Sequence, residues 1–87
     1  MLTQKDGEAI ARKLGITPKE GRGHAKVHVR IDGVWVGSFN IRRGSRDCNH
    51  DYIAKQMHLP YHDCAEFAAC RKNVDWYRQV LKGKGLL

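Results

Sequence analysis

The chain contains 87 residues with a mass of 9.9 kDa, which is enough for one hydrophobic core and too little for two catalytic domains. An apolar content of 41% excludes an extended disordered chain, and no run approaches the roughly 20 apolar residues of a membrane span. Sixteen Lys and Arg against nine Asp and Glu give a formal net charge of +7, so a polyanion is the expected partner.

The first predicted element is a helix over about residues 4–14. Thr3 can cap it, with Asp6 in the place of the usual glutamate of a capping box. The apolar or small residues that recur at helical spacing are Gly7, Ile10, Ala11 and Leu14. Gly15 suits the left-handed end of a helix, and the proline and glycines beyond it permit at most a short edge strand over 16–20. Since this first segment is charged and amphipathic, unlike a secretion signal, we expect a cytoplasmic protein.

A β-hairpin is the next predicted element. From Ala25 the hydrophobic pattern alternates, which is typical of a half-buried strand. The apolar side of this strand consists of Val27, Val29 and Ile31, and the polar side consists of Lys26, His28 and Arg30. Asp32-Gly33 is a preferred pair for a type I′ turn, because both central residues need positive φ. β-branched and aromatic residues resume over 34–41, so we expect one face of the sheet in the core and the other in water.

Two short helices are expected after a basic loop at residues 42–46. Asn49 is the expected cap of the first helix, which stops before Pro60 because proline disfavours helical geometry in the preceding residue. The second helix is expected near 63–71, with Phe67 as the residue that fixes it to the core.

A last helix is expected after Asn73, which caps it, and it ends at Gly83. The residues expected to face inward are Trp76, Tyr77, Val80 and Leu81. The whole order predicts an α+β fold, in which helices cover one face of a small antiparallel sheet of two to three strands. We expect residues 1–67 to form this domain and residues 68–87 to form a helical extension packed on it.

Five histidines and three cysteines raise the question of a metal site. Structural zinc sites usually bring their ligands in closely spaced pairs, and no CxxC occurs here. We therefore expect no metal and no other cofactor, with Cys64 and Cys70 as small apolar packing residues. His50 and His58 are expected to be hydrogen-bonded surface histidines. Phosphate-binding and nucleophile-elbow glycine motifs are also absent.

The candidate catalytic residue is His24, which follows Gly21-Arg22-Gly23 at the start of the hairpin. The stretch from 19 to 46 holds seven basic and two acidic residues, so it is the expected binding face. An imidazole can take a proton from a ribose 2′-hydroxyl or give one to a leaving 5′-oxygen. Neighbouring cations can stabilise the charge that develops on the phosphorus oxygens. The alternative is that His24 is a turn residue or strand cap without a chemical role.

The remaining candidate residues would bind RNA around this histidine. They are Arg22, Gly23, Lys26, His28, Arg30, Trp35, Arg42, Arg43 and Arg46. Trp35 is expected to face away from its valine neighbours and can stack on a base, although a tryptophan that covers the rim of the core is the structural alternative. For His28 the alternative is a solvated strand residue.

Three segments together resemble the HicA family of small toxins, which are messenger RNA interferases with a fold like that of double-stranded-RNA-binding domains. The segments are the first helix over 8–14, Gly23-His24 before the hairpin with Asp32-Gly33, and the helix over 53–59. In that family a glycine-rich turn delivers one catalytic histidine to the start of a strand, and His24 stands at the matching position. The family commonly has Gly-Ser-His or Gly-Gly-His, whereas this chain has Arg22 before Gly23-His24.

The resemblance implies cleavage of messenger RNA without a metal, inhibition of translation, and neutralisation by an acidic, HicB-like antitoxin that covers the histidine face. Two alternatives stay open. The first is a nucleic-acid-binding module of the same fold without catalysis, and the second is a protein-interaction domain whose charge matches an acidic partner. The tail over 68–87, which is longer than in minimal members of the family, would pack on the sheet, contact an antitoxin or form a dimer.

Overall fold

The structure is a computed structural model that describes residues 1–43 and 49–87. Its elements in chain order are α1 (Gln4–Lys13), β1 (Lys19–Glu20), β2 (His24–Ile31), β3 (Val34–Arg42), α2 (Tyr52–Gln56), α3 (Tyr61–Ala68) and α4 (Val74–Gly83). The three strands form one antiparallel sheet in the order β1-β2-β3, and the helices lie on one side of it. The expected α+β class, with the order α-β-β-β-α followed by a further C-terminal helix, is confirmed.

Helix α1 begins as the sequence predicts. The backbone N–H of Thr3 donates to the Asp6 carboxylate at 2.8 Å, so the acidic residue at the third helical position completes the cap. The helix lies against the sheet through Gly7, where an added Cβ would meet the side chains of Ile41 at 3.0 Å and Ile53 at 3.2 Å. A glycine at this position therefore sets the distance between the helix and the sheet.

The hairpin of β2 and β3 turns at Asp32 and Gly33, whose φ angles of 52° and 81° are those of the expected type I′ turn. Exposed and buried residues alternate along the whole of β2. On β3 the alternation is broken by a β-bulge, because Gly37 pairs with Val29 whereas Trp35 pairs with the next residue, Arg30. The bulge reverses the alternation, so Trp35 lies on the same face of the sheet as Arg30.

The C-terminal helices complete the same core. The Asn73 side chain accepts a hydrogen bond from the backbone N–H of Trp76 at 2.8 Å, which confirms Asn73 as the cap of α4. Tyr77 and Leu81 of α4 are fully buried, and the Tyr77 hydroxyl donates to the Met57 carbonyl at 2.9 Å. Residues of α4 therefore pack in one core with those of the sheet. None of the helices in the described ranges is long and apolar enough to span a membrane.

Several local expectations are corrected by the structure. His50 is completely buried rather than a surface histidine, and Cys70 is exposed rather than packed in the core. Cys64 is buried, as expected. Helix α2 starts one residue after Asp51, and the Asn49 side chain accepts from the Asp51 backbone N–H at 2.6 Å instead of capping the helix directly. Helix α3 begins earlier than the sequence pattern indicates, because Pro60 occupies its N-cap. It also ends earlier, just before Cys70, which adopts a positive φ of 64°.

Candidate nucleic-acid interface

The face of the sheet that points away from the helices is polar and basic, and we call it the open face. The side chains on it are Lys19, His24, Lys26, His28, Arg30, Trp35, Ser38, Asn40 and Arg42. Four of them, the exposed residues from His24 to Arg30, lie on β2, because residues separated by two positions along a strand share a face. The register then brings β1 and β3 alongside: Lys26 lies between Lys19 and Asn40, and His24 lies opposite Arg42.

The charge of the open face is positive, and three of its cations have no acidic partner among the described residues. Glu20 of β1 pairs with the buried Ala25, so it belongs to the opposite side of the sheet. Among the ion pairs of the described residues, none within 4.0 Å involves Lys19, Lys26 or Arg30. A flat surface with several unbalanced cations attracts a polyanion, because each bound phosphate releases counterions and gains a charge-assisted contact.

His24 is held at one end of this face by a tight turn between β1 and β2. The backbone N–H of Gly21 donates to the His24 carbonyl at 2.8 Å, which closes the turn. Gly23 adopts a φ of 71°, in the left-handed region that favours glycine, and its carbonyl accepts from the Arg43 N–H at 3.0 Å. The turn therefore fixes the backbone on both sides of an exposed imidazole.

The imidazole of His24 is oriented by one hydrogen bond. Its Nδ1 lies 2.9 Å from the Arg22 carbonyl oxygen. A carbonyl can only accept, so in the neutral ring Nδ1 carries the proton and Nε2 keeps its lone pair. No other group of the described residues hydrogen-bonds to the ring, and a Cβ placed on Gly21 would lie 3.2 Å from Nε2. The geometry thus leaves Nε2 as a proton acceptor beside a position where only glycine avoids crowding it.

Two cations are the nearest strand neighbours of His24. Arg42 lies directly opposite on β3, where facing Cβ atoms are about 5 Å apart. Lys26 lies two residues further along β2 on the same face, at about 7 Å. His28 is four residues away, about 13 Å along the strand, so in the described part of the open face no second imidazole lies next to His24. A base with two adjacent cations can deprotonate a hydroxyl and stabilise negative charge on a neighbouring phosphate.

The position of Arg42 depends on a buried histidine that the sequence did not identify. His50 Nε2 accepts a hydrogen bond from the Arg42 backbone N–H at 3.0 Å, and the His50 ring stacks on Tyr52 with centroids 5.6 Å apart. The His50 backbone N–H also donates to the Leu2 carbonyl at 2.9 Å. The outer edge of β3 is therefore attached, at the end of the strand, to the segment before α2.

Trp35 and Arg30 form the other end of the open face. They lie opposite each other across β2 and β3, and 56% of Trp35 is exposed. That exposure does not fit a tryptophan that only covers the rim of the core. An exposed aromatic ring beside a guanidinium is the kind of surface on which nucleic-acid bases stack.

The structure does not bring all the predicted binding residues together. Arg43 Nη1 lies 2.8 Å from Glu8 and its Nη2 lies 2.7 Å from Glu20, so both ends of this guanidinium are engaged by carboxylates. These hydrogen bonds raise the pKa of Arg43 above its ordinary value. Arg43 therefore links β1 to α1 and is not part of the open face. Arg22 is exposed on the turn beside His24, and Arg46 lies outside the described residues.

Lys19 is a member of the open face that sequence reasoning missed. Its signal is the register: once a strand precedes the turn at residues 21–23, the residue opposite Lys26 shares its face. His50 had no comparable signal, since its burial depends on contacts with Leu2 and Arg42 that are distant in sequence.

Neither metal clusters nor known relatives add to this picture. Within residues 1–43 and 49–87, no group of three or more His, Cys, Asp or Glu side chains could hold a metal ion. Comparison of the chain with protein-family models, with curated proteins and with solved structures finds no match. The interpretation of the open face therefore rests on its own geometry and charge.

Proposed function

We propose that this protein is a ribonuclease that binds RNA across the open face and cleaves it without a metal, with His24 as general base. The single observation that carries the proposal is the hydrogen bond between His24 Nδ1 and the Arg22 carbonyl, which leaves Nε2 of an exposed ring without a hydrogen-bond partner among the described residues. The ring lies on the basic side of the sheet, where a bound phosphate backbone would lie beside it.

The reaction that fits one base is the internal transesterification of RNA. Nε2 of His24 takes the proton of a ribose 2′-hydroxyl, the 2′-oxygen forms a bond to the adjacent phosphorus, and the bond from phosphorus to the 5′-oxygen breaks. The products are a 2′,3′-cyclic phosphate and a 5′-hydroxyl, whose proton comes from water or from the imidazolium. Arg42 and Lys26 are the groups that would stabilise the charge on the nonbridging oxygens.

Cleavage in the presence of EDTA tests this proposal. We expect the wild type to convert a single-stranded RNA into fragments that end in 2′,3′-cyclic phosphate, and His24→Ala to abolish the conversion while the circular dichroism spectrum is unchanged. His62→Ala is the matched control, because His62 is an exposed histidine on α3, on the helical side of the molecule. Equal cleavage by wild type and His24→Ala would refute the assignment.

A nucleic-acid-binding module without catalysis is the second candidate. It is favoured by one observation, namely that no second imidazole of the described residues lies near His24 to act as the acid. Binding of RNA by the wild type without breakdown would support it. In either case the logarithm of the affinity should fall linearly with the logarithm of the salt concentration, with a slope of about 0.7 per phosphate contact on a single strand.

We further propose that the RNA is messenger RNA and that the protein acts as a HicA-like toxin with an acidic antitoxin partner. The three matching sequence segments support this, together with the charge of the open face. Induction in growing cells tests it: the wild type should arrest growth, His24→Ala should not, and His62→Ala should behave as the wild type. Normal growth on induction of stably expressed wild type would contradict it.

A further inference from the structure

Strand β2 has an outer edge that β1 covers only in part. β1 pairs with Ala25 and Lys26 alone, whereas β2 continues to Ile31. The chain before β1 does not extend this pairing, because the Ile16 backbone N–H donates to the Ala11 carbonyl at 2.9 Å and holds the chain against the end of α1. The last part of β2 is therefore bordered by β3 on one side only.

The backbone groups of His28 and Arg30 point out of this edge. Ile31 and Val34 flank the two-residue turn, so they form a hydrogen-bonded pair, and every second residue back along β2 also bonds to β3. The residues between them face the other way, as the bond from Gly21 N–H to the His24 carbonyl shows at 2.8 Å. Among the described residues, no group hydrogen-bonds to the backbone N–H or C=O of His28 or Arg30.

In contrast, side chains from the segment after β3 cover the outer edge of that strand. The Arg42 N–H donates to His50, the Tyr52 hydroxyl donates to the Asn40 carbonyl, and His58 Nε2 lies 3.0 Å from the Val36 carbonyl. Proteins usually cover or blunt an exposed strand edge, since it is a template for another strand. The difference between the two edges singles out β2.

We propose that the β2 edge over residues 28–31 is a docking site for an extended, acidic segment of a partner protein, which adds to the sheet as a fourth strand. Main-chain hydrogen bonds to His28 and Arg30 would supply affinity, as in other complexes formed by β-strand addition. The added strand would lie about 4.8 Å from β2, with alternate side chains beside the cations of the open face. Carboxylates at those alternate positions lie directly beside Arg30 and diagonally from Lys26, and neither cation has an acidic partner among the described residues.

Charge also argues against a second copy of this chain as the occupant. Pairing of two β2 edges would bring His28 and Arg30 of each copy alongside those of the other, and like charges across neighbouring strands repel. The docking of an acidic strand does not depend on RNA cleavage. We also expect the docked strand to compete with RNA at this edge of the open face, and that consequence does rest on the proposed function.

Hydrogen exchange and chemical shifts of the ¹⁵N-labelled full chain test the proposal. In the free protein we expect the amides of His28 and Arg30 to exchange at least tenfold faster than those of Val27 and Val29, which bond to β3. The probe is a synthetic nine-residue peptide that alternates Glu and Val. It should slow exchange at His28 and Arg30 at least tenfold and shift their amide resonances.

Two control peptides and one variant make the result specific. A peptide with N-methyl groups on the amides of alternate residues loses its donors to β2, and a peptide with Lys in place of Glu loses the charge match, so neither should protect these amides. Arg30→Glu should weaken binding of the acidic peptide. Slow exchange of His28 and Arg30 in the free chain, protection that appears only as the free chain dimerises, or no protection by the acidic peptide at millimolar concentration would each overturn the proposal. No RNA enters this experiment, so its failure leaves the nuclease assignment untouched.

Discussion

At the scale of single residues, the proposed chemistry depends on the space around one nitrogen atom. Nε2 of His24 faces the backbone of Gly21, and the ring is held from its other nitrogen by the Arg22 carbonyl. Both contacts come from residues of the same short turn. The turn thus defines where the ring can move, and small changes in it should affect a reaction more than they affect folding.

Gly21→Ala tests this dependence. The added Cβ would lie 3.2 Å from Nε2 and 3.5 Å from the His24 carbonyl, so the ring must shift to accommodate it. The φ of Gly21 is not positive, so the backbone itself tolerates alanine. We expect cleavage to fall by roughly 10-fold with little change in the urea midpoint, because the ring must move by a few tenths of an ångström and a displacement of about 1 Å costs about 100-fold.

Gly83→Ala is the matched glycine control. Nothing lies within 4 Å of a Cβ at this position, the last residue of α4. Alanine should leave cleavage unchanged and raise stability slightly, because glycine is the poorer helix former. Full cleavage activity of Gly21→Ala would show that the ring is not positioned as described.

Trp35 is the second residue whose role can be measured directly. It lies opposite Arg30, which is six residues from His24 and therefore about 20 Å away along β2, so a base stacked on it would be several nucleotides from the cleaved bond. We expect Trp35→Ala to weaken binding of single-stranded RNA by about 1–3 kcal/mol, and Trp35→Phe to retain most of the affinity.

The measurement uses the His24→Ala background, so that binding is separated from cleavage. Quenching of Trp35 fluorescence by the RNA gives a second readout, since the other tryptophan, Trp76, lies against Phe67 on the helical side. Tyr61→Ala removes an exposed aromatic ring from α3 and should leave the affinity unchanged. Equal affinity of the Trp35→Ala protein would place the RNA elsewhere.

At the scale of elements, the ends of β3 are fixed by residues that are not in the sheet. His50 is the clearest case, since its buried ring accepts from the Arg42 N–H at 3.0 Å. This contact joins the segment before α2 to the strand that carries Arg42 opposite His24. Stability and the arrangement of the open face are therefore coupled at this position.

We expect His50→Ala to lower the free energy of unfolding by about 3 kcal/mol, because it leaves both a cavity and a partly buried Arg42 N–H without its partner. His50→Gln, which retains an acceptor, should lose less. His62→Ala at the exposed position on α3 should stay within about 0.5 kcal/mol of the wild type. Urea unfolding measures all three, and a loss below 1 kcal/mol for His50→Ala would contradict the structural role.

The elements that the sequence predicted well are those with a local cause. The type I′ turn at Asp32-Gly33, the cap at Asn73 and the alternation of β2 each depend on neighbouring residues alone. The burial of His50 depends instead on a distant segment, since its backbone N–H donates to the Leu2 carbonyl. The bulge at Val36 lies within the hairpin, but it breaks the alternation from which the strands are predicted. His24 was found because glycines and cations surround it in sequence, whereas Lys19 joins the face only through its pairing with Lys26.

At the scale of the whole molecule, two buried ionisable groups in the core link stability to alkaline pH. Burial, with a smaller contribution from Asp6, raises the pKa of the Cys64 thiol from 9.0 to about 12. Burial, with a smaller contribution from Cys64, likewise raises the pKa of the Tyr77 hydroxyl. Both groups are therefore neutral in the folded protein at pH values where the unfolded chain has begun to lose their protons.

The sign of the effect follows from proton binding. Between pH 9 and 12 the unfolded state binds fewer protons than the folded state, so stability is complete below about pH 9 and falls as the pH rises. Each group contributes a slope of at most about 1.4 kcal/mol per pH unit. These two groups should leave the urea midpoint unchanged below pH 9 and lower it above pH 9.

Cys64→Ala isolates the thiol part of this decline. The variant loses some packing at every pH, since Cys64 is fully buried, but its stability should decrease less steeply than that of the wild type above pH 9. Cys70→Ala is the matched control, because Cys70 is exposed and its removal should leave the slope unchanged. Parallel curves for the wild type and Cys64→Ala would mean that the thiol is not shielded from water, and the close packing of α3 against α1 and α2 would have to be reconsidered.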